Sequence, residues 1–157
     1  MINFLIICKS NHWPVRFKKV NTIIKKILKF HQDLKFNNTF DYHCNIILTN
    51  NKLIKSINLK FRKNNKATDI LTFISDVNIG KKKKQKICDI FLSAEIIKKD
   101  ANNNNTDFYS HLSHLFIHSF LHINGYAHDK ISDFKIMQKI EIKVLKKIGI
   151  SNPYLYY

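Results

Sequence analysis

The sequence predicts an α+β fold: a small mixed sheet of about four strands packed with about five helices, in a single domain over residues 1–157. Three observations lead there. Short apolar runs rich in β-branched residues are interspersed with stretches whose apolar positions recur every three to four residues. The order read from them, β-α-β-α-β-β-α-α-α, contains no internal repeat and suggests helices layered against a small sheet. A chain of 157 residues also suits one domain able to bury a core.

The run Ile2–Cys8 reads as the first strand. It falls short of the ~20 apolar residues that cross a bilayer and lacks a basic lead-in, so a soluble, cytoplasmic protein without a membrane partner is expected. Beyond the Trp13-Pro14 break, Val20, Ile23, Ile24, Ile27 and Leu28 form the stripe of an amphipathic helix, with Pro14 near its start. Phe40–Thr49 is β-rich and ends at an Asn50-Asn51 turn signal; Leu53 and Ile57 then suggest a short helix to Phe61, followed by a polar loop over 62–69. Residues 70–75 and 87–92 read as two strands joined by an exposed connection that holds the four Lys at 81–84. Ser93 can cap a helix over 94–100, with Glu95 near its positive end, and the Asn run at 102–105 reads as a surface linker. Thr106 is a good N-cap, with Asp107 in the first turn, for a helix that continues through His122 until Gly125 stops it. A last helix begins near Ser132, carries Ile136, Ile140, Val144 and Ile148, and ends at Gly149.

The formal charge of +16 suits a polyanionic partner. Of the 27 basic residues, however, 25 are Lys, and Lys, Ile and Asn together fill 68 positions, a bias that A+T-rich coding also produces. Arg62, one of only two Arg, stands out against that background, because a planar guanidinium does what Lys cannot. Cys8, Cys44 and Cys88 are odd in number and widely spaced, so they read as small buried hydrophobes rather than a disulfide framework.

Five of the eight His lie between 111 and 128. His111, His114, His118 and His122 fall along one helical stripe, but at about 1.5 Å per residue His114 and His122 are roughly 12 Å apart, far beyond what nitrogens at about 2.1 Å from one ion can span. Only neighbours one turn apart can share a metal, and a third ligand must come from a chain that turns back. Gly125 ends the helix where that return starts, and His128 follows it. The economical ligand set is therefore His118, His122 and His128, which leaves a position open for water or substrate. His111 and His114 are left to supporting or packing roles. Imidazole suits several metals, with zinc preferred on availability and geometry.

The segment His118-Ser-Phe-Leu-His122-Ile-Asn-Gly125-Tyr126-Ala-His128 resembles the H-G-x-L-H-L-x-G-Y-D-H signature of the YbeY family of bacterial endoribonucleases. Upstream, Ile57-Asn58-Leu-Lys-Phe61-Arg62 and Thr68-Asp69-Ile-Leu71-Thr-Phe73 resemble that family's L-N-x-x-Y-R and T-D-V-L-S-F-P segments. Cys88-Asp89-Ile90 resembles its G-D-I strand, and Met137, Glu141, Leu145, Gly149, Pro153 and Tyr154 resemble its closing helix and tail. The departures are Ser119 for Gly, Ile74 for Pro, Cys88 for Gly and Ala127 for Asp. Ala127 bears most on chemistry, because an acidic neighbour could orient a ligand imidazole or take a proton.

The resemblance implies a metal-dependent endoribonuclease that acts on single-stranded RNA, in ribosomal RNA maturation and ribosome quality control, with the ribosome or its proteins as partners. It also implicates Arg62 in catalysis or substrate binding. A bidentate guanidinium clamping phosphate agrees with that role, the alternative being a surface salt bridge. Two other functions compete: a non-catalytic RNA- or ribosome-binding module with a structural metal, and a metallopeptidase. The peptidase reading lacks the Glu that H-E-x-x-H places after its first His, since residue 119 is Ser. Asp69 and Asp89 could orient groups at the site or equally cap turns.

Overall fold

A computed structural model describes residues 1–79 and 83–155. Gly80, Lys81 and Lys82, in the expected Lys-rich connection, lie outside the described residues. The elements run β1 (Ile2–Cys8), a single 3-10 turn (Pro14–Arg16), α1 (Phe17–Leu28), β2 (Phe40–Thr49), α2 (Asn51–Arg62), β3 (Ile70–Ile79), β4 (Lys83–Ser93), α3 (Ala94–Asn103), α4 (Phe108–Ile123) and α5 (Ile131–Lys147). The expected order, four strands and five helices, is what forms. The chain divides into two compact units, the first made of Met1–Lys18 and Asn38–Asp100 and the second of Lys19–Asn37 and Ala101–Tyr157. Among the described residues no helix is long and apolar enough to cross a membrane.

The first unit holds the sheet, in the order β1-β2-β4-β3. β1, β2 and β4 run parallel, whereas β3 returns antiparallel along β4, so the sheet is mixed as expected. Register puts Cys44 beside Cys88, Ile46 beside Ile90 and Leu48 beside Leu92. All six side chains are buried, and the period of two makes that face the core face. The opposite face carries Asn45, which donates to Asp89 at 2.8 Å, together with Phe73, Phe91 and the exposed Leu5 and Ile87. Trp13 is fully buried and donates Nε1–H to the Thr49 carbonyl at 2.8 Å.

Several local expectations shift. The β3–β4 hairpin is longer at both arms than its apolar residues suggested, because backbone pairing continues beyond them, with Asp76 opposite Lys86 and ion-paired to it at 3.1 Å. Asn50 is the N-cap of α2 rather than a turn residue: its side chain accepts from Leu53 N–H at 2.9 Å. Glu95 serves that same helix end, accepting from Asn51 N–H. The α4 cap is Asp107, one residue after Thr106, with Oδ1 accepting from the N–H groups of Tyr109 and Ser110. Cys8, at the end of edge strand β1, is exposed; only Cys44 and Cys88 are the buried thiols expected. The hydrogen bond with Cys88 and burial push the Cys44 thiol up, which keeps it unreactive.

α2 ends with Lys63 in the left-handed region at φ +57, while Lys63 N–H donates to Leu59 O and Asn64 N–H to Asn58 O. Glycine usually takes this position because a Cβ there costs energy. Lys63→Gly should therefore stabilise the protein by about 0.5–1 kcal/mol, a melting shift of a few degrees by differential scanning calorimetry. An unchanged or lower melting temperature would show that the turn carries no strain.

In the second unit α4 is apolar on nearly every side, with Leu112, Leu115, Phe116, Ile117, Phe120, Leu121 and Ile123 buried, as befits a central helix. Phe36 packs edge-on to Phe120 at 5.7 Å. The buried residues of α5 are Met137, Glu141, Val144 and Leu145; of the stripe the sequence suggested, Val144 and, just past the helix, Ile148 are buried, whereas Ile136 is exposed.

Candidate metal centre

The end of α4 builds the site. His118 and His122 lie one turn apart, and the helix stops at Ile123. Gly125 adopts φ +87, which only glycine takes at little cost, and its N–H donates to His122 O while Tyr126 N–H donates to Leu121 O. Asn124 fixes the turn by donating to Leu34 O and Phe120 O, each at 2.9 Å. The returning chain brings His128 back. Ring centroids are 4.5 Å apart for His118 and His122, 5.3 Å for His118 and His128, and 4.9 Å for His122 and His128. One nitrogen of each ring lies within 4.8 Å of the others, a cluster that could hold a metal ion.

Hydrogen bonding decides which nitrogens are available. Nδ1 of His118 lies 2.7 Å from Glu141 Oε1, and Nδ1 of His122 lies 2.9 Å from the Tyr126 carbonyl. A carboxylate and a carbonyl only accept, so both Nδ1 atoms carry the proton and each Nε2 keeps its lone pair in the neutral ring. Those two Nε2 atoms stand 2.9 Å apart. Two lone pairs at that distance repel unless a cation, a proton or a metal, lies between them. The donor set therefore fits a cation, and with His128 it could hold a metal ion.

Glu141, which the sequence reading placed in the family's closing helix without a role, is the residue that joins the cluster to the core. It is 1% exposed, yet it accepts from His118, from His114 Nε2 at 3.0 Å and from the Tyr154 hydroxyl. Burial pushes its carboxyl up, but the hydrogen bonds from His114 and His118 outweigh it and bring the group down to about 2. His122 is lowered from its ordinary value by burial and then by the neighbouring His118, which favours the neutral form a ligand needs. The signal available was a lone carboxylate on an otherwise apolar helix stripe. His114 thus supports the cluster through Glu141, and His111 lines a cavity of about 810 Å³ along with His114, Phe134, Gln138 and Tyr154.

Ala127 is exposed, and the imidazoles of His118 and His122 are oriented without it, by Glu141 and by Tyr126 O. Arg62 stands in the first unit at the end of α2, exposed, with Nη2 donating to Thr72 O at 3.2 Å and its guanidinium 5.5 Å from the centre of the Phe73 ring. Among the described residues no ion pair of Arg62 is found, unlike the salt bridge considered as its alternative role. Asp69 stands just before β3, accepting from Ile70 N–H at 2.7 Å and from Thr68 Oγ1 at 3.0 Å, and Asp89 pairs with Asn45 within the sheet. Both have structural work.

The family model for Endoribonuclease YbeY matches residues 5–149. A protein named Endoribonuclease YbeY from Ehrlichia canis is 34% identical over 151 residues, covering 90% of this chain and 94% of that one. Its namesake from Pelagibacter ubique is 36% identical over 149 residues, covering 94% and 97%. The solution structure of TM1509 from Thermotoga maritima matches with a TM-score of 0.54 at 24% identity, over 94% of this chain and 91% of that one, a likeness of fold. With the model spanning most of its length and relatives above 30% identity along nearly all of theirs, the chain belongs to the YbeY family of endoribonucleases.

Proposed function

We propose that this chain is a cytoplasmic, single-domain, metal-dependent endoribonuclease that cleaves single-stranded segments of RNA during ribosomal RNA maturation and ribosome quality control, with the ribosome as its working partner. The observation that carries the reading is the pair of Nε2 lone pairs 2.9 Å apart on His118 and His122, both rings pinned at Nδ1, in a chain of an endoribonuclease family. His118, His122 and His128 are the proposed ligands, and zinc the proposed ion. When bound, such an ion supplies Lewis-acid polarisation of a phosphodiester oxygen or an attacking water.

The chain's own groups do the rest. Glu141 holds the proton of His118 on Nδ1, and Tyr126 O does the same for His122, so both rings present Nε2 without having to reorient. Arg62, already steadied by Thr72 O and Phe73, offers its remaining N–H donors to a phosphate. Arg62→Lys keeps the charge and loses the fork, so cleavage should fall by about 10- to 100-fold at unchanged metal content. Wild-type turnover in that variant would leave Arg62 with a structural role only.

The deciding experiment compares wild type and His118→Ala on a structured ribosomal RNA fragment with single-stranded regions. Metal-dependent cleavage lost in the variant, with RNA binding retained, is expected. RNA binding without cleavage by the metal-loaded wild type would instead favour the non-catalytic module.

A further inference from the structure

We propose that the C-terminal end of α2 is a stacking platform for single-stranded RNA, with Phe61 as the ring on which a base lies and Lys60, Lys63 and Lys66 as the phosphate contacts beside it. The inference rests on the endoribonuclease reading and deepens it by naming the side chains that grip the substrate. Phe61 is 58% exposed, an unfavourable place for so large an apolar ring. It is nevertheless held. Its ring lies 5.3 Å from Phe73, which meets Phe91 edge-on at 5.9 Å, so three aromatics form a ladder rooted in β3 and β4. A pre-ordered ring binds a base at little further cost in conformational entropy.

One cation is placed against that ring, and more follow it in the sequence. Lys60 Nζ lies 5.2 Å from the centre of the Phe61 ring. The loop that follows is tied back by the hydrogen bonds closing α2 and by the buried Asn58, whose amide donates to Lys66 O at 2.8 Å. From 60 to 66, four of seven residues are basic and none is acidic. A polyanion whose bases have free π faces is what such a surface complements. Duplex bases, already stacked on one another, have no face to offer, so the platform selects single strands.

The test uses full-length, metal-loaded protein and a short RNA containing 2-aminopurine, whose fluorescence is quenched on stacking. Phe61→Leu keeps an apolar side chain against Phe73 but removes the π face, and Phe61→Tyr keeps both. Single-strand affinity and quenching should fall in Phe61→Leu by on the order of 10-fold or more, with metal content and melting temperature unchanged, and should persist in Phe61→Tyr. Lys63→Gln combined with Lys66→Gln should reduce the salt slope of binding by roughly 1.4, at about 0.7 per phosphate contact, with quenching intact. Equal affinity and quenching in wild type and Phe61→Leu would overturn the platform, as would Phe61-dependent binding to anionic vesicles in place of RNA. If RNA cleavage by the wild type is found and Phe61→Leu changes nothing, only the platform fails. If wild type binds through Phe61 but never cleaves, the endonuclease reading fails and the platform stands.

Discussion

Replacing His122 with Ala should strip the histidine cluster of its ion and abolish RNA cleavage while leaving the fold in place. Four-ligand structural zinc sites bind with apparent free energies of about 10–16 kcal/mol, or roughly 3–4 kcal/mol per ligand, so losing one should weaken metal affinity by on the order of 10²- to 10³-fold. The fold should persist because the core of the second unit is made by Leu112, Phe116, Phe120, Val144 and Leu145 rather than by the half-buried imidazoles. Metal content by mass spectrometry, circular dichroism and gel-based cleavage together read this out. Full metal occupancy in the variant would mean that the ligand set is wrong.

The second large effect belongs to Glu141. Its carboxyl ordinarily titrates near 4.5 and is brought to about 2 in the folded chain. The stabilisation this implies is complete above the ordinary value and drains away as the pH falls from 4.5 toward 2. At about 1.4 kcal/mol per unit it amounts to roughly 3 kcal/mol. Glu141→Gln should therefore lower the stability of the metal-free protein by about that amount at neutral pH, and the gap to wild type should close on acidification through that window. Because the variant also loses the charge that fixes His118, its metal affinity should drop by ~10–100-fold. Urea unfolding across pH and competition with a metal-chelating dye measure the two effects. Parallel stability curves for the two proteins would remove Glu141 from this role.

The convergence of the three histidines was legible in the sequence because its geometry is local. His118 and His122 are a helix turn apart, and Gly125 announces the reversal that returns His128, so spacing alone brings the rings together. Glu141 was not legible for the opposite reason. Its partners lie 23 and 27 residues away on another helix, where no local spacing points to them. The extra length of the β3–β4 hairpin was hidden because Asp76 to Asn78 and Lys84 to Lys86 pair through backbone groups that every residue possesses. Asn58, by contrast, stands in a segment that resembles the family's, and its buried amide explains the residue type: it donates to Lys66 O.

Glu141 also joins two parts of the chain far apart in sequence, His118 in α4 and Tyr154 beyond the end of α5. Through that shared acceptor, occupancy of the histidine cluster and docking of the C-terminal segment become thermodynamically linked. Whatever factor the ion contributes to holding Tyr154 down, the docked tail must return to the ion's affinity. Tyr154 would therefore report on an ion held by the cluster: amide exchange around Tyr154 should slow when the ion binds, and a ligand that prises Tyr154 from Glu141 should release metal without touching a single histidine.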